Sequence, residues 1–288
     1  MRRAISYLLI AAAVLTLAFT TQAFAADISG LAWNQANIAA LRSLDKADLL
    51  AFLNEQRRKT GIPLAPLTAA EIGNFEWADF AGDGNYELVM TSVEPCAYAV
   101  TILSRNASGK VTTAQVLVGT ADAIKDLNGD GKDELIIGKP LVEYTCATVI
   151  TWPAVYRLEN GKYVEASRDF PKFYDDEVLP KLNAEISQYR AEAAKAVTPG
   201  ATHRWNPAAF LMARDKILRV LGRDPTAGLR QAYQWLNTDD PLLLLAAAVT
   251  FQDIGGHQKE SDEAAAGYRR ALCRRHPRMV MCKNAPTR

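Results

Sequence analysis

Two stretches of this chain follow the same plan. "DFAGDGNYELVMT" begins at Asp79 and "DLNGDGKDELIIG" begins at Asp126. Asp79, Gly82, Asp83, Gly84, Glu87 and Leu88 match Asp126, Gly129, Asp130, Gly131, Glu134 and Leu135 at one constant offset. Further along, Cys96-Ala97 matches Cys146-Ala147, and Gly109-Lys110 matches Gly161-Lys162. An internal repeat of this size implies one supersecondary unit per copy. In each copy an acidic, glycine-bearing loop runs straight into an apolar strand, so each copy reads as β. The expected strands lie near 75–80, 86–92, 97–105 and 111–118, then 121–127, 133–138, 147–158 and 162–167. Asn160-Gly161 is a two-residue hairpin signal between the last two.

The loops carry the chemistry. In the second, Asp126, Asn128 and Asp130 stand at positions 1, 3 and 5, Gly131 at 6, Lys132 at 7 and Glu134 at 9. A hard cation such as Ca²⁺ takes six to eight oxygen ligands, and alternate side chains of a tight loop converge on one centre. Asp126, Asn128, Asp130 and Glu134 are expected to supply side chains, and Lys132 its carbonyl. An EF-hand needs a glutamate at position 12 between two helices, whereas Ile137 stands there and a strand follows. The first loop lacks the position-3 ligand, because Ala81 occupies that place. Asp79, Asp83, Glu87 and the Asn85 carbonyl are expected to form a weaker copy. The alternative for both loops is an Asx-stabilised turn that holds no metal.

This pattern resembles the FG-GAP or VCBS type of repeat, which integrin α-subunits also use. The resemblance covers residues 74–167, about a third of the chain. It implies four-stranded, blade-like units with a DxDxDGxx[DE] calcium loop between the first two strands. A propeller closes with about four to eight blades, and only two units are recognisable here. The expectation is therefore an α+β fold. It holds two four-stranded antiparallel units packed together, not closed into a ring, with helices at both ends.

The flanks read as helical. "SLDKADLLAFLNEQRRKTG" places Leu44, Leu49, Phe52 and Leu53 on one side, with Asp45 as the cap. After Phe170 come "DDEVLPKLNAEISQYRAEAAKA", "NPAAFLMARDKILRVLG", "DPTAGLRQAYQWL", "DDPLLLLAAAVTF" and a last helix over about 258–273. Several open on Asn-Pro or Asp-Pro, the proline falling at the first helical position. The expected organisation is a signal peptide over 1–25, an N-terminal helical segment and linker over 26–73, a β domain over 74–170 and a helical domain over 171–288.

The first residues have a charged start, an apolar run and an Ala-Phe-Ala site at 23–25, the plan of a signal peptide cleaved after Ala25. An uncleaved anchor is the alternative. This points to a periplasmic or secreted protein, with no membrane span once the signal is removed. Cys96, Cys146, Cys273 and Cys282 are an even set in an exported chain and read as two disulfides. Of the three possible pairings, Cys96–Cys146 and Cys273–Cys282 keep each bridge within one region.

A formal net charge of +1 argues against a nucleic-acid partner. No GxSxG or HExxH occurs, and the three histidines are scattered, so no catalytic constellation stands out and the chain is read as a non-enzyme. Glu94 and Glu143, beside the cysteines, read as solvated loop acids. The first functional expectation is a calcium-binding module that engages a protein partner in the cell envelope. The alternatives are a metal-assisted hydrolase and a helical scaffold without metal. In the scaffold, Trp205, Tyr233 and Trp235 would be docking aromatics unless they pack in the core.

Overall fold

The structure is a computed structural model, and it describes residues 31–59, 66–94, 97–106, 108–145, 148–195 and 205–275. The protein is α+β, with two four-stranded antiparallel sheets that do not close into a barrel and helices at both ends. The first sheet has the order β1 (Ile72–Ala78), β2 (Glu87–Glu94), β3 (Ala97–Arg105), β4 (Val111–Val118). The second has β5 (Thr120–Lys125), β6 (Glu134–Thr145), β7 (Thr148–Glu159), β8 (Lys162–Glu165). Each is a simple meander, as the repeat implied. The chain divides into two compact units. One holds residues up to Ile136 with Arg157–Val164, and the other holds Ile137–Tyr156 with Glu165 onward.

In the first unit a short turn, Gln35–Asn37, leads into α1 (Ile38–Arg42), and α2 (Lys46–Lys59) follows. The break between them is set by Asp45. Its Oδ1 accepts the N–H groups of Ala47 and Asp48 at 2.8 Å each, and Asp48 Oδ2 accepts the Asp45 N–H at 3.4 Å. That reciprocal cap satisfies amides that have no partner inside the helix. Leu44, Leu49, Phe52 and Leu53 are all buried, as their spacing predicts.

These helices cover one face of the first sheet. Register places Trp77 opposite Leu88 and Leu88 opposite Leu103. The three form a cross-strand row, the unit of packing on a sheet face, and they join the helical leucines and Trp33 in one core. Trp33 and Trp77 meet edge to face with centroids 4.9 Å apart. The next pair, Val89 and Ile102, points to the opposite face and is equally buried. Asn160 and Gly161 have φ of 50° and 75°, the left-handed pair a type I′ hairpin needs. Gln115 acts as a substitute strand partner. Its side-chain amide donates to the Tyr163 carbonyl and accepts the Tyr163 N–H, both at 2.9 Å.

In the second unit a helical stretch starts at Pro171, passes through a π turn over Tyr174–Val178 and continues as α3 (Leu179–Lys195). Pro180 has no N–H to return to the carbonyl four residues back, and the helix widens immediately ahead of it. Then come α4 (Trp205–Val220), α5 (Leu229–Leu236), α6 (Pro241–Ile254) and α7 (Gln258–Arg275). The run "PLLLLAAAVTF" is a core helix. Asp240 caps it by accepting the Leu242 N–H at 3.0 Å, and Pro241 fills the first helical position. Phe251, Ala246, Ala247, Met212, Trp235 and Ile186 share its core.

Two expected helix starts are corrected. Asn206-Pro207 does not open α4, which is already helical at Trp205. Asp224-Pro225 does not open α5. Asp224 Oδ1 instead takes the Thr226 N–H and hydroxyl at 3.1 and 2.9 Å, closing a local turn. Gly228 then sits at φ 84°, a left-handed conformation that no α-helix continues through. The helix begins only after it.

Candidate functional site: two interlocked acidic loops

The first loop joins β1 to β2 and the second joins β5 to β6. Both lie in the first unit, and the hydrogen bonding of their position-1 aspartates matches atom for atom. Asp79 Oδ1 accepts the N–H groups of Gly82 and Asp83 at 2.8 and 3.2 Å, and Oδ2 accepts that of Gly84 at 2.8 Å. Asp126 Oδ1 accepts those of Gly129 and Asp130 at 2.7 and 3.2 Å, and Oδ2 accepts that of Gly131 at 2.9 Å. Gly82, Gly84, Gly129 and Gly131 all have φ between 68° and 81°. That conformation turns successive amides inward as an anion-binding nest. The Gly131 amide, joined by those of Gly129, Asp130 and Asn128, holds the Asp126 carboxyl below its usual range against the opposing cost of burial.

Position 5 repeats the plan. Asp83 Oδ1 accepts the Asn85 N–H, and Asp130 Oδ1 accepts the Lys132 N–H, both at 2.9 Å. Position 3 does not. Asn128 Oδ1 accepts the Asp130 N–H at 2.9 Å and its amide donates to Asp130 Oδ2 at 3.2 Å. Ala81 has no group to do either. Asn85 and Lys132 stand at position 7, and Asn85 also bridges to Asn34.

Position 9 separates the loops. Glu134 is 2 % exposed and its Oε2 accepts the Leu127 N–H at 2.8 Å. Burial raises its pKa, and the nearby charges of Asp130, Asp126 and Asp133 add to the rise. Glu87 takes the Phe80 amide on its carboxyl group, but its Oε2 is buried with no hydrogen-bond partner among the described residues. Burial pushes the Glu87 pKa up to about 7. The Phe80 amide opposes the rise, while Asp79 and Asp83 add to it.

These residues suit a hard cation in their donor chemistry, since every candidate ligand is an oxygen. A carboxylate oxygen bonded to one amide still has a lone pair to offer, and Glu87 Oε2 has spent none on a hydrogen bond among the described residues. The ligands do not converge in advance. Among the described residues no three His, Cys, Asp or Glu side chains stand together as a ready ion cage, because the aspartates face the amides of their own loops.

The two loops also grip each other. The Asp79 N–H donates to Asp133 Oδ2 at 2.9 Å, and the Asp133 N–H donates to the Asp79 carbonyl at 3.0 Å. A Cβ on Gly82 would lie 3.0 Å from the Gly131 carbonyl oxygen and 2.9 Å from Lys132 Cγ. Nothing in the loop motif singles out Asp133. Its counterpart in the first copy is Tyr86, whose N–H donates to the Trp33 carbonyl at 2.7 Å and whose hydroxyl bonds Gln35. The Gln35 N–H returns to the Gly84 carbonyl at 2.8 Å. The segment at 33–35 thus lies on the first loop much as the first loop lies on the second. The one hint in the sequence is that the repeat breaks at this position, with Asp133 against Tyr86.

Other expected residues fall elsewhere. Cys273 on α7 is disulfide-bonded, and its partner lies outside the described residues, as do Cys96, Cys146, Cys282, His203, His276 and the signal segment 1–25. The side chains of Glu94, Glu143 and Trp205 lie outside them as well. Trp235 is a core residue. Tyr233 is 41 % exposed and packs edge to face on Phe251, with centroids 5.0 Å apart. His257 packs against the same two rings. No helix among the described residues is long and apolar enough to cross a membrane. A cavity of about 10 Å³ in the second unit, lined by Asp215, Arg219, Thr250 and Asp253 among others, has room for about one water. No protein-family model, curated protein or solved structure matches the chain.

Proposed function

We propose that this chain is an exported, calcium-binding β-repeat protein of the FG-GAP/VCBS kind, acting as a binding or interaction module in the cell envelope. The observation that carries the calcium reading is Glu87 Oε2, a buried carboxylate oxygen without a hydrogen-bond partner among the described residues, with the charges of Asp79 and Asp83 nearby. A buried ionisable oxygen left unpaired is costly. A bound cation removes that cost and offsets the repulsion among the three carboxylates. Calcium fits better than magnesium, because the ligands come from a flexible turn and magnesium demands tight octahedral geometry. The second loop, with Asn128 at position 3, offers the fuller ligand set.

The test is the melting temperature of the whole chain in millimolar calcium and in chelator. An ion that binds only the folded state stabilises by about 2.7 kcal/mol at a hundredfold excess over its dissociation constant. For a protein of this size that is roughly 5–10 °C. Equal melting temperatures in the two buffers would mean that the loops hold no ion. The competing reading is a pair of metal-free Asx turns. It is favoured by the three loop amides that Asp79 and Asp126 each already bind.

A further inference from the structure

We propose that Asp133 couples the two loops, so that an ion held in one pre-orders the ligands of the other. The proposal rests on the calcium reading above. Asp133 stands between two ligand positions of the second loop, the Lys132 carbonyl and the Glu134 carboxylate, yet its own side chain leaves that loop. Its Oδ2 accepts the Asp79 N–H at 2.9 Å while its N–H donates to the Asp79 carbonyl at 3.0 Å. Asp79 is the first ligand of the first loop, and its carboxylate already gathers the amides of Gly82, Asp83 and Gly84. The backbone that carries ligand 1 of one loop is therefore clasped to the backbone between ligands 7 and 9 of the other. Gly82 and the Gly131 carbonyl close the same seam from the side, with no room for a Cβ.

An ion drawn to Asp79 pulls on a residue whose N–H and carbonyl, in the two peptide units flanking its Cα, are both held by Asp133. Its effect passes to Lys132 and Glu134 without any other element moving. Ordering one loop lowers the cost of ordering its neighbour, which is positive coupling. Linkage makes that coupling reciprocal, so weakening either loop must weaken the other. Asp133 is thus a positioning residue. Its negative charge is a lesser part of its role than its acceptor oxygen, although that charge raises the pKa values of Glu134 and Glu76.

Calorimetric calcium titration of the whole chain tests this, with Asp133→Ala, Asp133→Asn and Asp83→Ala as variants. The wild type is expected to bind two ions cooperatively. Asp133→Ala should keep two sites but bind them independently. Asp133→Asn should restore cooperativity, since an amide oxygen can accept the Asp79 N–H. Asp83→Ala, which touches only the first loop, should weaken binding at the second by about fivefold or more, the lower end of typical coupling. Two independent sites in the wild type, or cooperativity unchanged in Asp133→Ala, overturns the coupling and leaves the calcium reading standing. No calcium heat in the wild type overturns both. If Asp133→Ala does not fold, Asp83→Ala decides alone, and an unchanged second-site affinity in it overturns the proposal.

Discussion

Glu87 and Glu134 close equivalent loops from equivalent positions, but only Glu134 has its buried oxygen answered. Glu134 Oε2 takes the Leu127 N–H at 2.8 Å, whereas Glu87 Oε2 has no partner among the described residues. Both carboxyls are displaced upward by burial, Glu87 to about 7. The first loop thus lacks a side-chain oxygen at Ala81 by sequence and holds an unpartnered one at Glu87 by structure.

The first prediction concerns pH. A carboxyl whose folded pKa lies above its unfolded value binds more protons when folded. Stability from that source is fully present below about pH 4.5, the unfolded value, and is lost as pH rises through about 7. In chelator, the wild type should lose melting temperature over that window. Glu87→Gln, which carries no charge, should lose several degrees less and should be the more stable form at pH 8. Parallel pH profiles for the two proteins would rule out a perturbed Glu87. In calcium the wild type should lose less over the same window, because the ion replaces the proton.

The second prediction separates the loops. On the calcium reading proposed above, Asp130→Ala removes a charged ligand from the fuller set, so it should abolish most of the calcium-induced rise in melting temperature. Asp83→Ala should remove less, because Ala81 already leaves the first loop incomplete. The readout is the calcium-minus-chelator shift for each variant, which cancels any direct effect of the substitution on the fold. A larger loss for Asp83→Ala than for Asp130→Ala would reverse the assignment of the stronger site.

The sheets were legible because in each copy an acidic, glycine-bearing loop runs into an apolar strand, and the other copy repeats the plan. The row Trp77, Leu88, Leu103 needs only a pleated strand and a hairpin register to form. The helical face of Leu44, Leu49, Phe52 and Leu53 was legible from its spacing. Asp133 was not. It sits between Lys132 and Glu134 in a run of loop charges, and only the folded arrangement shows that it serves the neighbouring loop. The start of α5 was misread because Asp224-Pro225 is an N-terminal signal that a local Thr226 turn can also satisfy, and Gly228 settles the competition. The unmet oxygen of Glu87 was equally hidden, since Glu87 and Glu134 are the same residue at the same repeat position.

The third prediction concerns the seam between the loops. Gly82 and Gly129 hold the same place in the two copies, with φ of 68° and 79°. Alanine at either suffers the left-handed backbone penalty of about 1 kcal/mol. At Gly129 nothing among the described residues lies within 4 Å of an added Cβ, whereas at Gly82 the Gly131 carbonyl lies 3.0 Å away. Gly82→Ala should therefore be the more destabilising in urea denaturation, and it should also disturb calcium binding at both loops. Equal costs for the two variants would show that the loops are not held together in solution.

The last prediction lies in the second unit and is independent of metal. Tyr174 is fully buried in the π turn that precedes α3, and its hydroxyl donates to the Pro153 carbonyl at 2.7 Å. Burial raises its pKa well above the usual tyrosine value, so the hydroxyl stays protonated and keeps donating. Pro153 lies within β7, so the bond ties the start of the helical stretch to a strand of the sheet. The neighbouring Val155 N–H donates to Ser167 Oγ at 3.0 Å, a second tie from β7 to the turn just ahead of the helical stretch. Tyr174→Phe keeps the ring and its edge-to-face contact with Phe173, whose centroid is 5.1 Å away, and removes only the donor. The Pro153 carbonyl is then left without that partner in a part-buried place, at a cost of about 1 kcal/mol. Urea denaturation should show that loss with an unchanged far-ultraviolet circular dichroism spectrum and an unchanged calcium shift. A variant as stable as the wild type would mean that water reaches the Pro153 carbonyl and that the tie contributes nothing.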